Sequence, residues 1–406
     1  MDMYLRGICR LERNGKERNK MKKSIALVLA LAMLLGLTAC GKTPAATEPT
    51  VPSTAATEPA TEAVTEPVTE PTTEPTTEPT TEPTTEPTTE PAPVYTNPLT
   101  GEVVEAPMDQ RFFAVSINNL KDAMPHVGVL QADIFMEMFV NSSIIRGLAL
   151  YSDVSKVDAI GSVRSDRMMF NQIATHYNAI IAHAGWSQAV LDHARSLGVD
   201  HFNIDTWDQT NYSFRDMDRK NSGYGWEHTL FAKGPGLVEY SVERELEVTR
   251  DPETDYRLTF TEDGTPADGE VAETITVTFS FNGSRKDSTM EYDAELGKYV
   301  YYQHGMKMVD GKTGEPETYE NVVVMLANIY MNGMYHMADF VAGGEGYFAC
   351  GGKLIPMKWY CDAEDAPFYF TTMDGEPLDF GVGRTYIAIA PVKSPVVWGA
   401  LEAETE

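Results

Sequence analysis

Basic residues are scarce in this 406-residue chain: 32 Lys and Arg stand against 60 Asp and Glu, a formal net charge of −28. A surface of that sign repels nucleic acid and anionic lipid head groups, so neither is an expected partner. Cysteine is nearly absent, with four in all, and the eight histidines are scattered. No CxxC or HExxH spacing occurs, which leaves no motif for a structural zinc and no sign of a metal or cofactor. Long apolar runs are missing too. The run at 25–35 is too short to cross a membrane as a mature helix.

That short run nevertheless has an address. "MKKSIALVLALAMLLGLTAC" at 21–40 places Lys22 and Lys23 before an apolar stretch and small residues before Cys40. This is the layout of a secretory signal, and "LTAC" resembles the bacterial lipobox. The expected product starts at Cys40, carries lipid there, and faces outward from a Gram-positive-type cell membrane. Residues 1–20, polar and basic, read as an upstream extension outside the product, with translation expected to begin at Met21 and signal-peptide cleavage after 39. Behind the anchor, 41–94 repeats "TTEP" and holds ten glutamates and one lysine. Proline and mutual repulsion keep such a segment from collapsing, so 40–94 reads as a lipid anchor on a disordered Thr/Glu/Pro-rich stalk. At ~3.1 Å per residue, full extension would reach on the order of 170 Å.

The rest is long enough for two domains. In 95–245, strand-like runs at 112–117, 132–139, 145–151, 178–184 and 199–204 alternate with helical patterns at 165–177 and 187–198. Strand alternating with helix predicts an α/β domain with a partly parallel sheet. From 246 to 395 the runs at 273–281, 298–304, 320–331, 346–350 and 384–391 are separated by turn residues, predicting a β-rich (α+β) domain. Residues 396–406 read as an acidic tail. Cys350 and Cys361 sit in one predicted hairpin turning at Gly351 and Gly352, out of register for a disulfide.

Arg164 and Arg167, in "GSVRSDR", stand where a helix should begin behind a cap at Ser165 or Asp166. A helix N-terminus with two planar forks suits a phosphate or carboxylate. The competing reading pairs both arginines with local acids such as Asp158, Asp166 or Glu137. His183 ends a predicted strand, where open α/β sheets collect ligands, and Trp186 beside it suits stacking on a sugar. "GWSQA" gives Ser187 two readings: a nucleophile with Asp205 and His228, or the N-cap of the next helix. "FRDMDRK" at 214–220 reads as a loop carrying Arg215, Asp216, Asp218 and Arg219, either over the same crevice or paired among themselves. Asn118 and Asn119 close the first strand and either line that edge or make a turn.

The motifs "NPLTG" (97–101), "AVSINN" (114–119), "MPHVGVLQADIFMEM" (124–138), "GSVRSDR" (161–167), "NAIIAHAGWS" (178–187), "GGKLIPMKW" (351–359) and "GRTYIAIAP" (383–391) resemble the YerB-type family of bacterial lipoproteins. The resemblance spans almost everything from Asn97 to Pro391 and implies an N-terminal and a C-terminal domain of unknown function. It brings no reaction. Where relatives carry a Glu-Gly-Gly segment ending in Thr-Arg, this chain has "NSSIIRG" at 141–147, keeping Arg146. Where they carry Pro-His-Asn, it has "WEHTLF" at 226–231, keeping His228. The expected function is a lipid-anchored surface protein binding an anionic or sugar-containing envelope ligand, such as a phosphorylated glycan. The alternatives are an envelope hydrolase using Ser187 and His228, or a non-catalytic assembly partner of another envelope protein.

Overall fold

The computed structural model describes residues 94–206 and 211–401. The signal segment, Cys40, the stalk up to 93 and the last five residues lie outside the described residues, as do the expectations attached to them.

A mixed sheet dominates. Ten of its strands are β1 (Phe113–Ile117), β2 (Ile134–Asn141), β3 (Ile144–Tyr151), β4 (Ile180–His183), β5 (His201–Asn203), β6 (Glu270–Val271), β7 (Asn321–Ala327), β8 (Gly344–Cys350), β9 (Lys353–Cys361) and β10 (Thr385–Pro391). They lie in the order β6-β9-β8-β7-β10-β2-β3-β1-β4-β5. β1, β4 and β5 run parallel, while β1 and β2 each flank β3 antiparallel. β10 is parallel to both β2 and β7, so the C-terminal half is spliced into the N-terminal half within one sheet.

Alternation decides which face each side chain meets. Phe113, Val115, Phe135 and Phe139 pack on one face, with Ile275, Val277 and Tyr301 of a second sheet. That six-stranded sheet contains Thr274–Phe281, Ser284–Asp293 and Lys298–Gln303. Ala114, Met136, Leu148 and Ile181 pack on the other face, against Met169, Phe170 and Ile173 of α1 (Met168–Tyr177). Buried on both faces, β1 and β2 have few polar positions.

α2 (Gln188–Leu197) starts at Ser187, whose side chain accepts from the Val190 N–H, and ends at Gly198 in the left-handed conformation. Four differences from expectation have local causes. α1 begins at Met168 behind Arg167, which makes no side-chain cap; Asp166 instead accepts from the Arg167 N–H. The stretch 214–220 is not a loop: Ser213–Arg215 is a strand and Met217–Asn221 a short helix capped by Asp216. The run 320–331 breaks after Ala327 into β7 and Ile329–Asn332. Val396–Gly399, the start of the expected tail, pairs with Thr274–Val277 because its residues can alternate across that edge. The described residues are thus mostly β, with few helices. Cys350 and Cys361 are both free and buried.

Candidate functional site

β1 and β4 end side by side, and the segment 162–166 is strapped across their carboxyl ends. Asn118 N donates to Ser162 O (2.9 Å), Arg164 N to Ser116 O (2.8 Å), Ala184 N to Arg164 O (2.8 Å) and Asp166 N to Gly185 O (3.0 Å). Gly185 adopts φ +85°, a conformation that L side chains resist, so the chain can turn under the strap. Strand parity then places Ser116, Arg146 and His183 on the helix-facing side of the sheet, where α1 begins. Arg146 Nη1 reaches Ser165 O at 2.7 Å, and Arg167 Nε reaches Asn141 Oδ1 at 3.1 Å.

Three guanidiniums, from Arg146, Arg164 and Arg167, therefore share one neighbourhood. None forms an ion pair among the described residues. Two of the acids expected to neutralise them are engaged elsewhere: Asp158 with Lys312 (3.0 Å), and Glu137 with Lys286. Asp166 Oδ1 accepts from the Arg167 backbone at 2.7 Å, while its Oδ2 has no partner. Arg146 is 3% exposed, and burial with the charges of Arg167 and Arg164 drives its pKa down to about 8. Burial also lowers Arg164 and Arg167, and Arg164 Nε is buried without a partner. Burial pushes the Asp166 carboxyl up to about 7. Asp166 beside Arg146 and Arg167, and Glu227 near Arg164, offset part of this charge without closing an ion pair. What remains, on one buried and two half-buried guanidiniums, suits an anionic ligand.

His183 is fully buried, with Nδ1 3.1 Å from Gly185 O and Nε2 3.0 Å from His201 Nδ1. Burial, then the neighbouring His201, lowers its pKa to about 3, so the ring is neutral. Trp186 stands edge-on to it, centroids 5.9 Å apart, and is 48% exposed. His228 Nδ1 lies 2.7 Å from Asn118 Nδ2, which makes that nitrogen the acceptor. The Arg164 charge reaches His228 and helps to lower its pKa, after burial. Arg215 lies over Trp226 (4.4 Å to the ring centroid) and bonds Asp205 Oδ2 at 2.8 Å.

The fold thus gathers Arg146, Arg164, Arg167, His183, Trp186, Asn118 and His228 about one edge. Glu137 and Asn119 go elsewhere: the Glu137 carboxylate is buried toward the second sheet, with Asn119, Lys286, Ser288, Tyr301 and Tyr386 on it. Asp216 serves as a helix cap. Ser187 Oγ is held by the Val190 N–H and the Tyr335 hydroxyl (2.7 Å), and no hydrogen bond joins Ser187, Asp205 and His228 to one another. A cleft of about 910 Å³ lies away from this edge, along 103–110 and Lys156, and has no convergent cationic groups. Sequence reasoning missed His201, Asn141 and Tyr335. His201 had one signal, its place in a short run parallel to the strand that carries His183.

Residues 99–247 match the N-terminal domain, and 275–387 the C-terminal domain, of a family described as protein of unknown function DUF3048. The chain belongs to the DUF3048 family. All residues gathered at the crevice fall within the N-terminal DUF3048 match. "Putative lipoprotein YerB" of Bacillus subtilis (strain 168) is 26% identical over 299 residues, covering 72% of this chain and 86% of that protein. The crystal structure of B. subtilis YerB superposes with a TM-score of 0.64 at 22% identity, covering 74% of this chain and 99% of that one. That likeness establishes the fold. The family resemblance read from the motifs is correct.

Proposed function

We propose that this DUF3048 protein is an extracytoplasmic lipoprotein that binds an anionic, sugar-containing envelope ligand at the carboxyl edge of β1 and β4. The observation that carries the reading is the trio Arg146, Arg164 and Arg167 without a carboxylate ion pair among the described residues. Planar guanidiniums match phosphate and carboxylate oxygens, and the N-terminus of α1 adds unpaired N–H groups and partial positive charge. Trp186 and Trp226, 48% and 52% exposed, supply aromatic faces of the kind that stack on sugar rings. His228 and Arg215 extend the polar rim, with Asn118 fixing the His228 ring. Anchoring through Cys40 is supported by the lipobox-like "LTAC" and by the lipoprotein description of the B. subtilis relative.

The test is calorimetric titration of a hexose 1-phosphate and of the free hexose into wild type and into Arg164→Ala/Arg167→Ala. Each lost charge-assisted contact is worth about 1.5–3 kcal/mol, so the double variant is expected to lose at least about a hundredfold in sugar-phosphate affinity. Its melting point should fall only modestly: Arg167 loses its bonds to Asn141 Oδ1 and the Asp166 carbonyl, but no ion pair is broken. A double variant that melts early, yet binds as wild type once folded, would make the strap scaffold. For the anchor, Cys40→Ala is expected to move the protein from the membrane fraction to the medium, since the acyl chains supply the attachment energy. Retention in the membrane after normal cleavage would refute the lipidation.

A further inference from the structure

We infer that Asp166, His183 and His201 form a binding site for one divalent transition-metal ion of the zinc class. One donor atom from each lies within 4.8 Å of the other two. The three come from separate stretches: the strap, the end of β4 and the start of β5. No sequence spacing announces them, and the fold alone brings them together.

Each donor is prepared for the role. The Gly185 carbonyl, 3.1 Å from His183 Nδ1, accepts from the N–H of that nitrogen, which holds the proton there and leaves a lone pair on Nε2. Such an outer hydrogen bond is what orients a ligating imidazole. His183 Nε2 faces His201 Nδ1 at 3.0 Å. Two ring nitrogens at that separation share either one proton or one metal ion. Zinc–nitrogen bonds of about 2.0–2.1 Å put adjacent ligands roughly 2.9–3.4 Å apart, so little movement is needed. Asp166 is fully buried, its Oδ1 fixed by the Arg167 N–H and its Oδ2 without any partner. A buried carboxylate oxygen left unpaired in a native fold calls for a ligand. His201 is partly exposed, which gives an ion a way in.

Two imidazoles and a carboxylate favour zinc, cobalt, nickel or iron over magnesium or calcium, which prefer all-oxygen shells. Three protein donors leave one position open. The guanidiniums of Arg146, Arg164 and Arg167 oppose a bare dication, so an anion is expected in that open position. To that extent the inference rests on the anion-binding reading.

The experiment titrates Co²⁺ into chelator-treated full-length protein, with and without inorganic phosphate, reading stoichiometry by calorimetry and coordination by the visible absorption of Co²⁺. One ion per chain is expected, with the intense absorption of a low-coordinate site, displaced by Zn²⁺. Phosphate should tighten binding at least tenfold in wild type and not in Arg164→Ala/Arg167→Ala. His201→Gln, at the partly exposed position, should keep the fold by circular dichroism and weaken Co²⁺ at least tenfold; Asp166→Asn should do the same. Uptake in wild type that ignores phosphate would support the metal site and count against the anion reading. No stoichiometric uptake in either buffer, or a spectrum unchanged by His201→Gln, would overturn the inference and leave the histidines merely sharing a proton.

Discussion

Lys286→Met is expected to destabilise the chain by about 3–5 kcal/mol, the cost of leaving a buried carboxylate without its cation. The magnitude follows from what surrounds Glu137. Its side chain is fully buried, Lys286 is 10% exposed, and the two form an ion pair that bridges the two sheets. Four neutral donors also reach the carboxylate: Asn119 Nδ2 at 2.7 Å, Ser288 Oγ at 2.7 Å, Tyr301 OH at 3.0 Å and Tyr386 OH at 2.6 Å. Hydrogen bonds to a charged group are worth about 1.5–3 kcal/mol each, so they soften the loss and place it toward the lower end of the range. Burial pulls the Lys286 amine well below its usual pKa, so the pair sits where an unpartnered charge is costly. Urea unfolding followed by tryptophan fluorescence, extrapolated to water, measures the difference. Glu137→Gln combined with Lys286→Met should cost at least about 1 kcal/mol less than the sum of the single variants, since each single variant strands a partner. A loss below about 1 kcal/mol for Lys286→Met would refute the reasoning: the four neutral donors would then carry the carboxylate alone.

Two further outcomes are specific. His176 is 3% exposed, and burial holds its pKa at about 4 against a usual 6.5. The unfolded chain therefore takes up the proton first as pH falls, and stability drops between about pH 6.5 and 4 by up to roughly 3 kcal/mol; His176→Phe should flatten that slope in urea midpoints measured across the window. Ser187→Ala removes the cap to Val190 N and the bond to Tyr335, and should cost about 1 kcal/mol while leaving sugar-phosphate affinity unchanged; loss of binding without loss of stability would restore a direct role for Ser187.

Local order was legible where local physics decides it. Ser187 and Gly198 bracket α2 because a cap and a left-handed turn are written in the residues themselves. The hairpin at Gly351 and Gly352 pairs Cys350 with Lys353, which leaves Cys361 far along the partner strand, as its spacing implied. What could not be read was long-range. β10 lies between β2 and β7, and neither neighbour is near it in sequence. The arginine trio was visible only in part. Arg164 and Arg167 announce themselves, but whether acids neutralise them depends on where Asp158 and Glu137 point, and those acids turn to lysines. His201 was invisible as a donor because its partners stand 18 and 35 residues away.

The position of β10 also has a temporal meaning. β2 and β7 are left with open hydrogen-bonding edges until residues 385–391 arrive. Contacts this distant in sequence make folding slow, because the loop must close before the pairing rewards it. A chain that cannot complete its central sheet until β10 emerges stays unlocked through most of the synthesis of the residues before it. If the chain is exported as the proposed lipoprotein, that delay would keep it competent for passage. The same strand, once seated, joins both halves at a stroke, so a truncation anywhere before Thr385 would remove the keystone of the whole sheet rather than one module.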